Sequence, residues 1–401
     1  MSEDLEFARE HCFMAGVGDT GAALCEANVP FGLAKIHAVQ RALGIAPDAV
    51  FVGAPDATVT RNVGRWGQGF GYGGVYAWTG DFTVLDIKAN ACGVLVGALP
   101  SLPALDDVRA RLRALDHAHL ELDGVTIEND LTEGNHFVDV CTVTGGSEEA
   151  PGGARTLFLM HSSGHEHREE TSFGPGIYWD ASEPLRARAR VIETPWGSVR
   201  ILEGSALADW YPYYQRVQAF NHRRREALAA FLFDAYTPVV NETHQGLVRA
   251  HNIANIGAYT FEDPDGGGDS ALYPLALSPT LPAYLVRGRK NFTAAQREGL
   301  GWRERVERLG VEGLVSSINL LPHGGGYVYP QIKGVARVIE DGPDQRRFEL
   351  IPADPAVPVP TIATPKELPH RYRGMEVKER MEALGLGTAV VAMDIEYVVT
   401  A

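Results

Sequence analysis

Cysteine is scarce in this chain: four in 401 residues, at Cys12, Cys25, Cys92 and Cys141. Four thiols spread over that length make no disulfide framework, so a stapled secreted scaffold is excluded and a reducing, cytoplasmic setting is expected. Long apolar runs are missing too. The best stretches, 92–99 and 227–233, fall well short of the ~18 residues that a membrane-crossing helix needs, so no membrane partner is expected. The first ten residues, MSEDLEFARE, are acidic and lack the apolar centre of a secretory signal. No internal repeat or low-complexity tract appears. Positive charge is in deficit: Lys plus Arg is 36 against 51 for Asp plus Glu, a formal net charge of −15. That balance opposes long-range attraction to nucleic acid and leaves only local basic patches to hold phosphate. Arginines gather at 186–190, 223–225, 287–290 and 371–373.

What remains is an ordinary folding composition. Hydrophobic residues at 45% and charged residues at 22% exclude a disordered chain, a collagen and a coiled coil. The 44 glycines and 24 prolines are spread evenly enough to predict many turns and short strands. Strand-like runs fall at 50–52, 93–98, 137–143, 156–161, 283–287 and 389–399. Helical patterns fall at 33–43, 105–114, 210–236, 294–308 and 365–384. The longest carries Val217, Phe220, Leu228, Phe231 and Leu232 at the spacing of a buried stripe. Loops are expected at 145–153, 263–269 and 353–360. Strands and helices mix without regular βαβ alternation, which predicts an α+β fold. No linker announces a boundary, so the expectation is one large domain over 1–401 with a central mixed β core flanked by helices.

Thirteen histidines are present, and several stand where a strand-like run meets glycine or asparagine. These are Gly134-Asn135-His136-Phe137, His161-Ser162-Ser163-Gly164, His251-Asn252-Ile253-Ala254 and His323-Gly324-Gly325-Gly326, with Cys92-Gly93 heading an apolar run. A histidine at a strand end beside glycine is held by a rigid element yet open to a ligand, as metal sites and nucleophiles require. Imidazoles with one thiolate suit zinc, iron or manganese better than magnesium or calcium. The glycine runs 71–74 and 324–326 can cradle phosphate through backbone N–H groups, or can simply make tight turns. His165 and His167 sit in a polar stretch, HEHREE, read as a solvated loop that could lend a replacement ligand. His244 is read as a structural histidine and a candidate supporting residue for His251.

The order Cys-Gly, Gly-Asn-His-Phe, His-Ser-x-Gly, His-Asn-x-Ala, His-Gly-x-Gly resembles the RtcB family of tRNA-splicing ligases. The resemblance is clearest over 71–326, and 327–401 is diverged. Weaker supports are Gly71 to Ala77, the Phe220-Asn221-His222 stretch, and 278–288. The family joins RNA 3′-phosphate ends to 5′-hydroxyl ends using GTP and manganese. The resemblance implies an RNA ligase with metal ligands Cys92, His136, His161 and His251, and with His323 as the nucleophile that takes GMP. It implies nucleotide contacts from Asn135, Asp139, Ser278, Gly324 and Gly326. The cofactors implied are manganese, with zinc as a substitute, and GTP. RNA ends are the implied partner, through weak local contacts from 223–225 and 287–290, alongside an accessory activating protein. Some family residues are replaced. Ala89 stands where an aspartate precedes the cysteine by three, and Asp86 is six before it. Tyr327 stands where an arginine follows the histidine-glycine motif, and the terminal lysine-glycine is absent. Two further readings therefore stay open: a non-ligating RNA-binding paralogue that keeps one metal, and a metal-dependent phosphotransferase or hydrolase.

Overall fold

The computed structural model describes residues 2–131, 134–262 and 271–399; the loop expected at 263–269 lies outside the described residues. The fold is α+β, built on one eleven-stranded sheet that takes strands from both ends of the chain. In spatial order these are Cys12–Met14, Val50–Val59, Gly71–Ala77, Ile253–Ile256, Thr237–Ala250, Cys92–Leu99, Thr156–Ser162, Phe137–Gly145, Gly387–Val399, Ala283–Gly288 and Leu272–Ala276. Only the first pair is parallel; every other neighbour is antiparallel, so the sheet is mixed. All six strand-like runs are strands. The central strand Cys92–Leu99 is nearly continuous in apolar residues because both of its faces are covered.

Helices cover the sheet. Thr20–Ala42 and the first half of Gly204–Leu232 pack with Phe51, Tyr76 and Ile256. Short helices at 303–317 and Glu376–Ala383 pack with Val52, Val75 and Val286. Leu105–Leu115 joins the second half of Gly204–Leu232 over Leu95, Val138 and Phe158. Val217, Phe220, Leu228 and Leu232 are buried, as their spacing requires, while Phe231 is half-buried.

The differences from expectation have local causes. The expected helix at 33–43 begins at Thr20, capped by Asp19, and runs through Pro30. Proline in a helix interior normally favours an end or kink, but almost every residue from 21 to 40 is buried here and packing overrides it. The expected helix at 294–308 is two helices, because Gly301 takes φ +67° between them. Of 365–384 only Glu376–Ala383 is α-helical; a 3-10 turn and a two-residue strand occupy its first half. The fourteen-residue strand Thr237–Ala250 was not foreseen, and it carries a residue of the site.

Candidate active site

The site lies where three adjacent strands end side by side. Cys92 opens its strand, and His161 stands near the end of the next, where Val94 pairs with His161 and Gly93 with Ser162. On the other side, Thr243 pairs with Gly93 and Gln245 with Cys92, so His244 is the extra residue of a β-bulge. A bulge re-aims a side chain without ending the strand, and here it turns His244 onto the other two. Cys92 Sγ is 3.1 Å from His161 Nε2, and His161 Nε2 is 3.3 Å from His244 Nε2. All three residues are buried, and one ligand atom from each lies within 4.8 Å of the others. His136 Nε2 approaches Cys92 Sγ at 3.8 Å from the neighbouring strand's edge.

Backbone and carboxylate partners set the tautomers. His161 Nδ1 is 2.9 Å from the carbonyl oxygen of Asn135. A carbonyl only accepts, so Nδ1 donates to it, and Nε2 is the nitrogen turned to the thiol and His244. His136 Nδ1 donates to Asp130, 3.0 Å from its carboxylate. Two imidazole nitrogens facing each other beside a thiol need a cation or a shared proton between them. Tetrahedral bonds of ~2.0–2.3 Å would separate neighbouring ligand atoms by roughly 3.4–3.6 Å, close to the spacings here. The cluster therefore can hold a metal ion. Burial raises the Cys92 thiol, yet His161 and His244, with hydrogen bonds from His136 and His161, outweigh it and hold it well below the usual range. Burial opposes protonation of His136, but Asp130 and Cys92 push it up to about 10. Burial drives His244 down to about 3.

His323 lies one ring further on. It follows the strand Asn319–Pro322, and its ring centroid is 4.6 Å from that of His244. Its Nδ1 is 2.8 Å from Asp56 Oδ2, and the same oxygen accepts the backbone N–H groups of His323 (3.1 Å) and Gly324 (3.3 Å). Nδ1 is thus the protonated nitrogen, and Nε2 keeps its lone pair. Arg373, wholly buried, donates to the carbonyls of Asp56, Ala57 and Gly325 and pairs with Asp19, so it ties the glycine turn to the Asp56 segment. Gly326 adopts φ +63°, and a Cβ there would collide with the Asp56 carbonyl and Arg373.

A cavity of about 240 Å³ opens over these groups. Its walls include His136, His161, His323, Asn135, Asp139, Ser278, Gly324 and Gly326, with Phe137, Leu277 and Tyr372 as apolar surface. Nine of the ten residues singled out from the sequence are thus brought together, Cys92 by its contact with His161. His251 is not: it pairs with Asp81 at 3.3 Å and stacks edge-on against Tyr211. His244 takes the place assigned to it. Asp86 is also elsewhere, accepting from the Arg200 backbone N–H at 2.6 Å. His167 packs against Phe220 and Phe173 and does not approach the cluster. The sequence reading missed Asp56 and Asp130, whose partners His323 and His136 are 267 and 6 residues away. It took Arg225 only as part of the 223–225 cluster expected to meet RNA; Arg225 is buried with Cys92 nearby and bonds Asn241, and its positive charge favours a thiolate.

No protein-family model and no curated protein matches this chain.

Proposed function

We propose that the chain is an RtcB-like, metal- and GTP-dependent RNA ligase that works through a guanylylated His323. The observation that carries this reading is the arrangement of His323. Its Nδ1–H is fixed on Asp56, its Nε2 is left free at the cavity, and its ring lies against His244 of the Cys92–His161–His244 cluster. An imidazole oriented by a carboxylate is an activated nucleophile. His323 Nε2 attacks the α-phosphorus of GTP, a P–N bond forms, the bond to the bridging oxygen breaks, and pyrophosphate leaves. Asp56 keeps the Nδ1 proton and stabilises the positive charge spread over the ring. The P–N bond then breaks as an oxygen of an RNA 3′-phosphate takes the GMP group, and the 5′-hydroxyl oxygen attacks the 3′-phosphorus, expelling GMP and giving up its proton to water or to the freed Nε2. Cys92, His161 and His244, with His136 alongside, would hold a divalent ion, manganese or zinc, which would neutralise charge on the phosphoryl oxygens. The cavity walls Asn135, Asp139, Ser278, Gly324 and Gly326 would hold the nucleotide, with Phe137, Leu277 and Tyr372 against its flat ring.

The test is incubation with α-labelled GTP and manganese, without RNA, followed by denaturation. The expected result is an acid-labile, base-stable label on wild type that is absent from His323→Ala. A label that survives in His323→Ala puts the chemistry elsewhere. Tight metal without any label favours the phosphotransferase or hydrolase reading of the same cluster.

A further inference from the structure

Beside the first cavity lies a second of about 370 Å³, and the two share Tyr72, Gly134, Asn135, His136 and Tyr327. Its size is within the ~300–1,000 Å³ of small-ligand pockets. Its lining contains Arg61, Arg65 and Arg168 and, among the described residues, no aspartate or glutamate. That is unusual in a chain with 51 acidic residues against 36 basic. Of the arginines expected from the sequence to meet phosphate, three are already committed: Arg223 to Asp123, Arg224 to Asp130 and Glu166, and Arg287 to Glu149.

The three cavity arginines have no carboxylate partner among the described residues. Arg65 is buried and spends its donors on Thr60 and the carbonyls of Ile87 and Lys88. Arg61 bonds His370 Nδ1 at 2.8 Å and lies 5.9 Å from the Tyr327 ring. Arg168 Nε is buried with no partner, and its guanidinium stands 5.5 Å from the ring of Tyr178, which Lys88 approaches from 5.4 Å. Arg61, Arg65 and Arg168, gathered in a partly desolvated cleft with no carboxylate among its described lining residues, cost stability, and an arriving anion relieves that cost. The remaining polar lining includes Thr60, Asn62, Asn90 and Ser163, which can donate to phosphate oxygens.

We propose that this cavity is a subsite for a nucleotide phosphate ester, with Arg168 and Arg61 contacting the phosphate and Arg65 supplying field from below. The shared wall at Asn135 and His136 sets that phosphate beside the Cys92–His161–His244 cluster, where the second reactant of a group transfer must lie. Its role as second reactant rests on the function proposed above; the binding itself does not.

The experiment is fluorescence anisotropy of the full chain with a labelled single-stranded oligoribonucleotide ending in a 3′-phosphate, in chelator and without GTP. Wild type should bind, and inorganic phosphate should compete. Arg168→Gln and Arg61→Gln should each weaken binding by roughly tenfold and lower the slope of log K against log salt by about one. Arg337→Gln, whose partner is Glu349 on the surface, should bind as wild type does. Should Arg168→Gln fail to fold, Arg168→Lys and phosphate competition on wild type carry the test. Unchanged binding in both cavity variants, an equal loss in Arg337→Gln, or no competition by phosphate overturns the proposal. Titration with a mononucleotide distinguishes the sources of the phosphate: equal affinity assigns the subsite to a free nucleotide, and weaker affinity to a strand end. Because neither GTP nor metal is present, failure here leaves guanylylation of His323 untouched, and failure of labelling leaves this binding untouched.

Discussion

Replacing Asp139 by asparagine should stabilise the protein at neutral and alkaline pH, and only there. Asp139 stands in the strand Phe137–Gly145, is 4% exposed and lines the first cavity. Burial alone pushes its carboxyl up from 3.8 to about 7. Between those two values the folded chain holds a proton that the unfolded chain has released, so stability falls as pH rises through the interval. Below the unfolded value both states are protonated, and the amide is a fair mimic of the acid. Above about 7 the buried carboxylate is charged and unpaired, and its penalty is complete. Three units at ~1.4 kcal/mol each set a ceiling of roughly 4 kcal/mol, which the neutral amide escapes. The assay is urea unfolding of chelator-treated wild type and Asp139→Asn from pH 4 to pH 8. The advantage of the variant should grow from near zero to a few kcal/mol. A difference that stays constant across the range would mean that the carboxyl is ionised throughout and the reasoning is wrong. The same burial gives Asp139 a chemical use: in its protonated form it can donate a hydrogen bond to an acceptor on a bound ring.

Other sites give independent outcomes. Arg224→Met should cost roughly 3–5 kcal/mol in denaturant melts, because it leaves Asp130 and Glu166 buried without their cation. Burial works to raise Asp130, but Arg224 and His136 hold it well below the usual range. Its contribution is therefore present above the ordinary carboxylate value and lost as acid titrates it, so wild type and Arg224→Met should converge at low pH. Gly326→Ala should lower stability by about 1–3 kcal/mol and slow adduct formation, read by thermal melts and GTP labelling, because φ +63° and the close Asp56 carbonyl leave no room for a Cβ. Asp56→Asn should slow labelling by on the order of 10²-fold with little change in the GTP concentration dependence, since it unfixes the His323 tautomer without touching the nucleotide.

Much of this molecule was legible in its sequence. Apolar runs between turn residues identified the strands at 93–98, 137–143, 156–161 and 389–399; at 93–98 and 156–161 the run is almost unbroken because both faces of the strand are buried. Histidines beside glycines named most of the cavity wall before any contact was known. The error at His251 is instructive. His251 has the better local context, a strand end beside asparagine, but it faces Tyr211 and Asp81. His244 lies inside a long strand with no glycine in contact, and a register shift against Cys92 and Gly93 turns it inward. Such a shift belongs to the pairing of two strands far apart in sequence, and no spacing within one of them reveals it. Asp56 is hidden for the same reason, since its partner is 267 residues away. The arginine clusters misled in the opposite direction. Density of charge in sequence said nothing about which guanidinium groups would find carboxylates: among the described residues Arg223, Arg224 and Arg287 have them, and the isolated Arg61 and Arg168 do not.

The most direct test of the account is metal content. Wild type purified with manganese or zinc should hold one tightly bound equivalent by elemental analysis. His244→Ala and Cys92→Ala should lose it, and His251→Ala should keep it, since only the first two place a ligand atom within 4.8 Å of the others in the cluster. Metal retained in His244→Ala, or lost in His251→Ala while the fold is intact, would contradict the centre described here.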